Sequence, residues 1–108
     1  MKTITLHCPV FALEQLASTL EAYANAAYPP GASECSQASR AALLDVVTSI
    51  YLQVATNKDE VTVSRRLRSH IKAALQYAVE NQGAKPVLAL LLKALSGETI
   101  AREEWQDE

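Results

Sequence analysis

A chain of 108 residues, 49% apolar and 20% charged, is long enough for one domain with a modest core and too apolar to be disordered. Ala and Leu dominate while Gly numbers 3 and aromatics make up 6%, which favours helix over sheet. A net charge of −2 argues against a dedicated polyanion binder, and the two cysteines are too few for a secreted disulfide scaffold.

The opening residues hold no apolar run of signal-peptide length, and no stretch approaches a membrane span. The expectation is a cytoplasmic protein, residues 1–108 forming a single domain, with Cys8 and Cys35 as free thiols. Charge is unevenly spread. Residues 1–57 carry two basic and four acidic groups, residues 58–85 six and three, and residues 86–108 two and five. A basic centre thus lies between acidic flanks, a pattern that serves a partner or balances itself within the fold.

Residues 1–8 read as an extended arm or one short strand, with weak alternation from Thr3 to Cys8. Alternatively Thr3, Thr5 or Cys8 launches the first helix, Pro9 being favourable near a helix start. From Pro9 to about Tyr28, Leu13, Leu16, Ala17, Leu20, Ala24 and Ala27 form one stripe at helical spacing, and Pro29-Pro30-Gly31 ends it. A second helix is predicted from about Ser36 to Asn57, capped by Ser36 or Ser39. Its stripe of Leu43, Val46, Val47, Ile50, Tyr51 and Val54, widened by Leu44 and Ala55, calls for two neighbours.

Val61-Thr62-Val63 fits a turn of extended chain or the start of a third helix, with Ser64 or the earlier Asp59 as cap. That helix runs to Asn81 on a stripe of Leu67, Ile71, Ala74, Leu75 and Ala78, and Gly83 supplies a positive-φ stop. A fourth starts at Lys85-Pro86 and stops at Gly97. Its Val87, Leu88, Leu90, Leu91, Leu92 and Leu95 cover an arc of about 200° at 100° per residue. Thr99 then caps a short final helix from Ile100 to about Trp105, before an acidic tail at 106–108. The predicted fold is all-α: a bundle of four main helices plus a short C-terminal one, with loops at 29–35, 57–61, 82–85 and 96–98.

Chemistry-bearing patterns are sparse. His7, Cys8, Cys35 and His70 lack the short paired spacing of a zinc site, so no metal is expected. Cys35 and His70 are a candidate nucleophile–base pair, and no catalytic signature surrounds them. Phosphate loops and nucleophile elbows are missing, and the adjacent Glu103 and Glu104 read as a solvated acidic end. The expectation is no enzyme and no cofactor.

The most informative segment is Ser64-Arg65-Arg66-Leu67-Arg68-Ser69-His70-Ile71-Lys72. On a helix, Arg65, Arg68 and Lys72 line one edge, about 120° from the Leu67/Ile71/Ala74 stripe, while Arg66, His70 and Tyr77 flank the other. Such basic rims suit phosphate contact or an acidic partner surface, or pair internally with Asp59, Glu60 or the acidic tail. Residues 85–105 resemble a helix–turn–helix in outline. However, Glu98, Glu103 and Glu104 against a single Arg102 make a poor groove-reading helix. Trp105 either packs the tail onto the body or anchors a partner.

The functional expectation is a non-enzymatic protein-binding module. By class it suits a small accessory protein of inhibitor, immunity or antitoxin type, including those carried by phages or plasmids, that occludes a partner's surface. Its contacts would be Arg65, Arg66, Arg68, Lys72 and Trp105. The alternative is a dimeric nucleic-acid-binding regulator using the helix around Arg65–Lys72. Leucines left in water would each forfeit about 1.5–3 kcal/mol of burial. A homodimer is therefore predicted, with helix four (Leu88, Leu91, Leu92 and Leu95) or helix two in the seam.

Overall fold

The structure is a computed structural model describing residues 2–83 and 85–105. In chain order it contains β1 (Thr3–His7), α1 (Val10–Ala27), α2 (Glu34–Ala55), β2 (Glu60–Ser64), α3 (Arg68–Gln82) and α4 (Pro86–Leu95). Single 3-10 turns occupy Arg65–Leu67 and Arg102–Glu104. The expected acidic tail at 106–108 lies outside the described residues. No helix among those described is long and apolar enough to cross a membrane.

The protein is mostly helical but not all-α. β1 and β2 form an antiparallel sheet, in register from Thr3↔Ser64 to His7↔Glu60. Both strands alternate. Leu6, Val61 and Val63 are buried with Ile4 packed beside them, whereas Thr5 and Thr62 stay exposed and join Oγ1 to Oγ1 at 3.0 Å. β-branched residues suit such a half-buried pleat. The extended reading of Val61-Thr62-Val63 is the one realised, because a partner strand lies 57 residues upstream.

α1 begins after Pro9, whose carbonyl accepts the amides of Ala12 and Leu13 at 3.0 Å. Its C-terminal end is closed from a distance. Arg40 on α2 donates Nη1 to Asn25 Oδ1 at 2.9 Å and to the carbonyl oxygens of Tyr28 at 3.2 Å and Ala24 at 3.4 Å. A guanidinium there satisfies orphan carbonyls and complements the helix dipole. α2 starts two residues before the predicted Ser36, because Ser33 is the cap, its Oγ accepting the Ser36 amide at 3.3 Å. That choice puts Glu34 in the first turn, where a carboxylate is favourable.

Two further boundaries differ from expectation. α3 starts at Arg68, since Glu60–Ser64 is held in the sheet and Arg65–Leu67 turns the corner as a 3-10 helix. The final helix expected from Ile100 to Trp105 is only the Arg102–Glu104 turn, with the Glu104 carboxylate accepting the Ala101 amide at 2.9 Å. Gly83 stops α3 at φ 89°, as the sequence implies.

α1 packs against α2, α3 and α4, α2 supports β2, and α4 touches β1. Ala12, Leu13, Ala17, Leu20 and Ala24 of α1 are fully buried, as are Leu43, Ile50, Ile71, Ala74 and Leu88 from the surrounding helices. Leu88→Ala should lower the unfolding free energy by about 2–5 kcal/mol in urea denaturation. Leu52→Ala, at a side chain 64% exposed, should change it by about 0.5 kcal/mol or less.

Candidate functional site

On α3, Arg68, Lys72 and Gln76 recur every four residues and so share one side of the helix. α4 runs beside this face and brings Leu92, Leu95 and Ser96 to it. These six residues and Ser69 line an open groove of about 420 Å³. Leu92 is half-buried and Leu95 is buried, so the floor is apolar and the α3 wall is cationic.

The groove is braced at its end. Arg68 donates Nε to the Leu95 carbonyl at 3.0 Å, closing the last turn of α4 while its charge stays at the rim. Ser96 Oγ donates to the Lys93 carbonyl at 2.8 Å and to a Glu98 carboxylate oxygen at 3.4 Å, which puts one carboxylate beside that end. Chemically the arrangement offers apolar burial along one wall and charge-assisted hydrogen bonds along the other.

Arg65 and Arg66 lie on the 3-10 turn ahead of α3, and neither lines the groove with Arg68 and Lys72. Arg66, expected on the opposite edge from Arg68 and Lys72, lines a smaller groove between α2 and β2, of about 210 Å³, and Arg65 is exposed. His70 and Tyr77, expected on an open edge, are half-buried. The Tyr77 ring meets Tyr23 at 5.5 Å and the His70 ring meets Tyr28 at 6.3 Å, between centroids.

The leucines proposed for a dimer seam are placed differently from that expectation. Leu88, Leu91 and Leu95 are buried by the chain's own elements, and only Leu92 retains surface. Among the described residues, the large apolar side chains left exposed are Tyr51 and Leu52 on α2. Trp105 packs back onto the core, as one of its two readings held, and closes a cavity of about 150 Å³ with His7, Cys8, Pro9, Asp59 and Ile100.

Cys8 faces this small cavity, yet burial, helped by the Asp59 charge, pushes its thiol up to about 12. Such a thiol is neutral and a weak nucleophile or metal ligand at physiological pH. Among the described residues no cluster of His, Cys, Asp and Glu has the makings of a metal site. Two features had no reading in the sequence. The Arg40 clamp joins residues 12 to 16 positions apart, and the pairing of Lys72 with Leu92 across a groove needs the α3–α4 packing.

No family model matches this chain, and no curated protein or solved structure does so either.

Thiol chemistry should separate the two cysteines. Iodoacetamide at pH 8 should modify exposed Cys35 in the folded protein and leave Cys8 untouched until denaturant is added. The raised Cys8 pKa favours the protonated, folded form. Its stabilising contribution is full below the ordinary value of 9.0 and is lost as pH rises from there toward about 12. Cys8→Ser should flatten the fall in stability measured across that window.

Proposed function

We propose that this protein is a non-catalytic binding module whose α3–α4 groove takes an acidic amphipathic segment of another protein. The observation that carries the reading is the joint lining of one groove by Arg68, Lys72, Leu92 and Leu95. An apolar floor beside a cationic wall matches a helix with leucines on one face and carboxylates on its flank, the usual mode of helix-in-groove recognition. The ligand's apolar residues would cover Leu92, and its carboxylates would meet the Lys72 ammonium and the remaining guanidinium nitrogens of Arg68.

Within this reading the protein is a cytoplasmic accessory factor of inhibitor, immunity or antitoxin type, acting by occupying a surface its partner needs. The nucleic-acid alternative draws less support. A phosphate-tracking helix gains from Arg65, Arg66, Arg68 and Lys72 acting together, whereas Arg66 lines a different groove from Arg68 and Lys72.

Chemical-shift perturbation tests the proposal with a designed peptide bearing leucines at i, i+3, i+4 and i+7 and glutamates alongside. Shifts should concentrate on Ser69, Lys72, Gln76, Leu92 and Ser96. Lys72→Glu should weaken binding by about tenfold, the effect of reversing a partly desolvated contact. The same peptide with its leucines and glutamates scrambled should not bind. Equal binding of scrambled peptide or duplex DNA, or no shift at millimolar peptide, would overturn the reading.

A further inference from the structure

Hydrogen-bond phase within the sheet determines which strand groups face outward. The Cys8 amide donates to the Asp59 carbonyl at 3.0 Å, and the Arg65 amide donates to that of Lys2 at 3.1 Å. Alternation along the register then assigns ladder bonds to Ile4/Val63 and Leu6/Val61 as well. Glu60, Thr62 and Ser64 therefore turn their backbone N–H and C=O groups away from β1. Among the described residues the sheet has two strands, so on that side Glu60 and Thr62 have no ladder partner, while the Ser64 carbonyl opens the Arg65–Leu67 turn and the Ser64 amide faces out.

The space beside them is open. Two cavities, of about 470 Å³ and about 210 Å³, lie between β2 and α2, and both are lined by Ser49 and Thr62. Leu52, 64% exposed, follows Ser49 by three residues and so borders the same side of α2. A bare strand edge next to exposed apolar surface is a template for strand addition.

Charge identifies the occupant. Asp59 and Glu60 precede the apolar-centred Val61-Thr62-Val63, and Arg65 and Arg66 follow Ser64. Antiparallel pairing of this strand with itself sets the acidic end of one copy against the basic end of the other, at both ends of the seam. Lys58 offsets only one of the two carboxylates. Parallel pairing would set like charges together. β1 has no such complementarity, with Lys2 at one end and His7 at the other, and Trp105 closes over the His7 end.

We propose that the outer edge of β2 is a self-association surface on which a second copy of this chain pairs antiparallel about a twofold axis at Thr62. Thr62 faces its symmetry mate, the two exchanging a pair of main-chain hydrogen bonds, and Glu60 faces Ser64, whose amide donates to the Glu60 carbonyl. This register uses all three outward-facing residues, and a two-residue slip in either direction loses one of the three pairs. The result is one continuous sheet in the order β1-β2-β2-β1, an isologous interface. The axis runs perpendicular to the sheet, so both α2 helices lie on the same side of it. The surface shares no lining residue with the α3–α4 groove and does not depend on its role.

Sedimentation equilibrium of the full chain at micromolar to millimolar concentration tests this. Wild type should move from 11.7 kDa toward twice that mass. Asp59→Arg/Glu60→Arg and Arg65→Glu/Arg66→Glu double variants should each associate at least about tenfold more weakly, because like charges then meet. An equimolar mixture of the two should recover a heterodimer. Circular dichroism confirms that each variant remains folded.

Amide exchange in the wild type gives an independent readout. Protection of Thr62 and Ser64 should grow with concentration, while Val61 and Val63, already bonded to β1, should not change. A wild-type mass of 11.7 kDa throughout the range would overturn the proposal. So would double variants that dimerise as well as wild type, a mixture that stays monomeric, or exchange at Thr62 and Ser64 that ignores concentration.

Discussion

The fold depends on covering α1 from several sides at once. Ala12, Ala17 and Ala24 sit at full burial on this helix, and side chains that small let neighbouring backbones come close. Leu13, Leu16 and Leu20 then project between those neighbours and are likewise buried. With α2, α3 and α4 all packed on α1, the other helices need only one well-covered face each. This explains how the leucine-rich α4 is accommodated. Its buried residues divide between α3, α1 and β1, so most of its apolar arc is covered within one chain.

Placement of the sheet follows from the same constraint. The chain leaves α2 on a left-handed Asn57, φ 62°, and returns along β2 against the N-terminal strand. Val61 and Val63 complete the apolar cover there, and the polar members of both strands remain in water. Pairing with β1 delays the start of α3 to Arg68. That delay leaves Arg65 and Arg66 on a short 3-10 turn, outside the groove that Arg68 and Lys72 line.

Two surfaces of different character result. Between α3 and α4 lies an apolar floor with a cationic wall, held in shape by the Arg68–Leu95 hydrogen bond. Along β2 lies a polar strand edge with acid at one end and base at the other. The first suits a ligand with its own apolar face, and the second suits a strand of complementary charge order. A chain that both dimerises and docks a partner would present two grooves per assembly, which raises effective affinity for a partner bearing two copies of its ligand.

Local pattern was enough to place the four helices. Period-3.6 stripes, the Pro29-Pro30 break, Pro86 at a helix start and Gly83 at a helix end are properties of neighbouring residues, and the structure keeps them within a few positions. The basic character of the 65–72 segment was legible on the same grounds. The two-stranded sheet was not, because Thr3–His7 and Glu60–Ser64 are each too short to declare themselves, and their pairing is a contact across 57 residues. The same holds for Arg40 at the end of α1 and for the union of Lys72 with Leu92. Sequence by itself determined which segments are helical and where the charge lies, since both depend on adjacent side chains. Tertiary structure decided which of those charges share a surface and which leucines are already covered, since both depend on how distant segments meet.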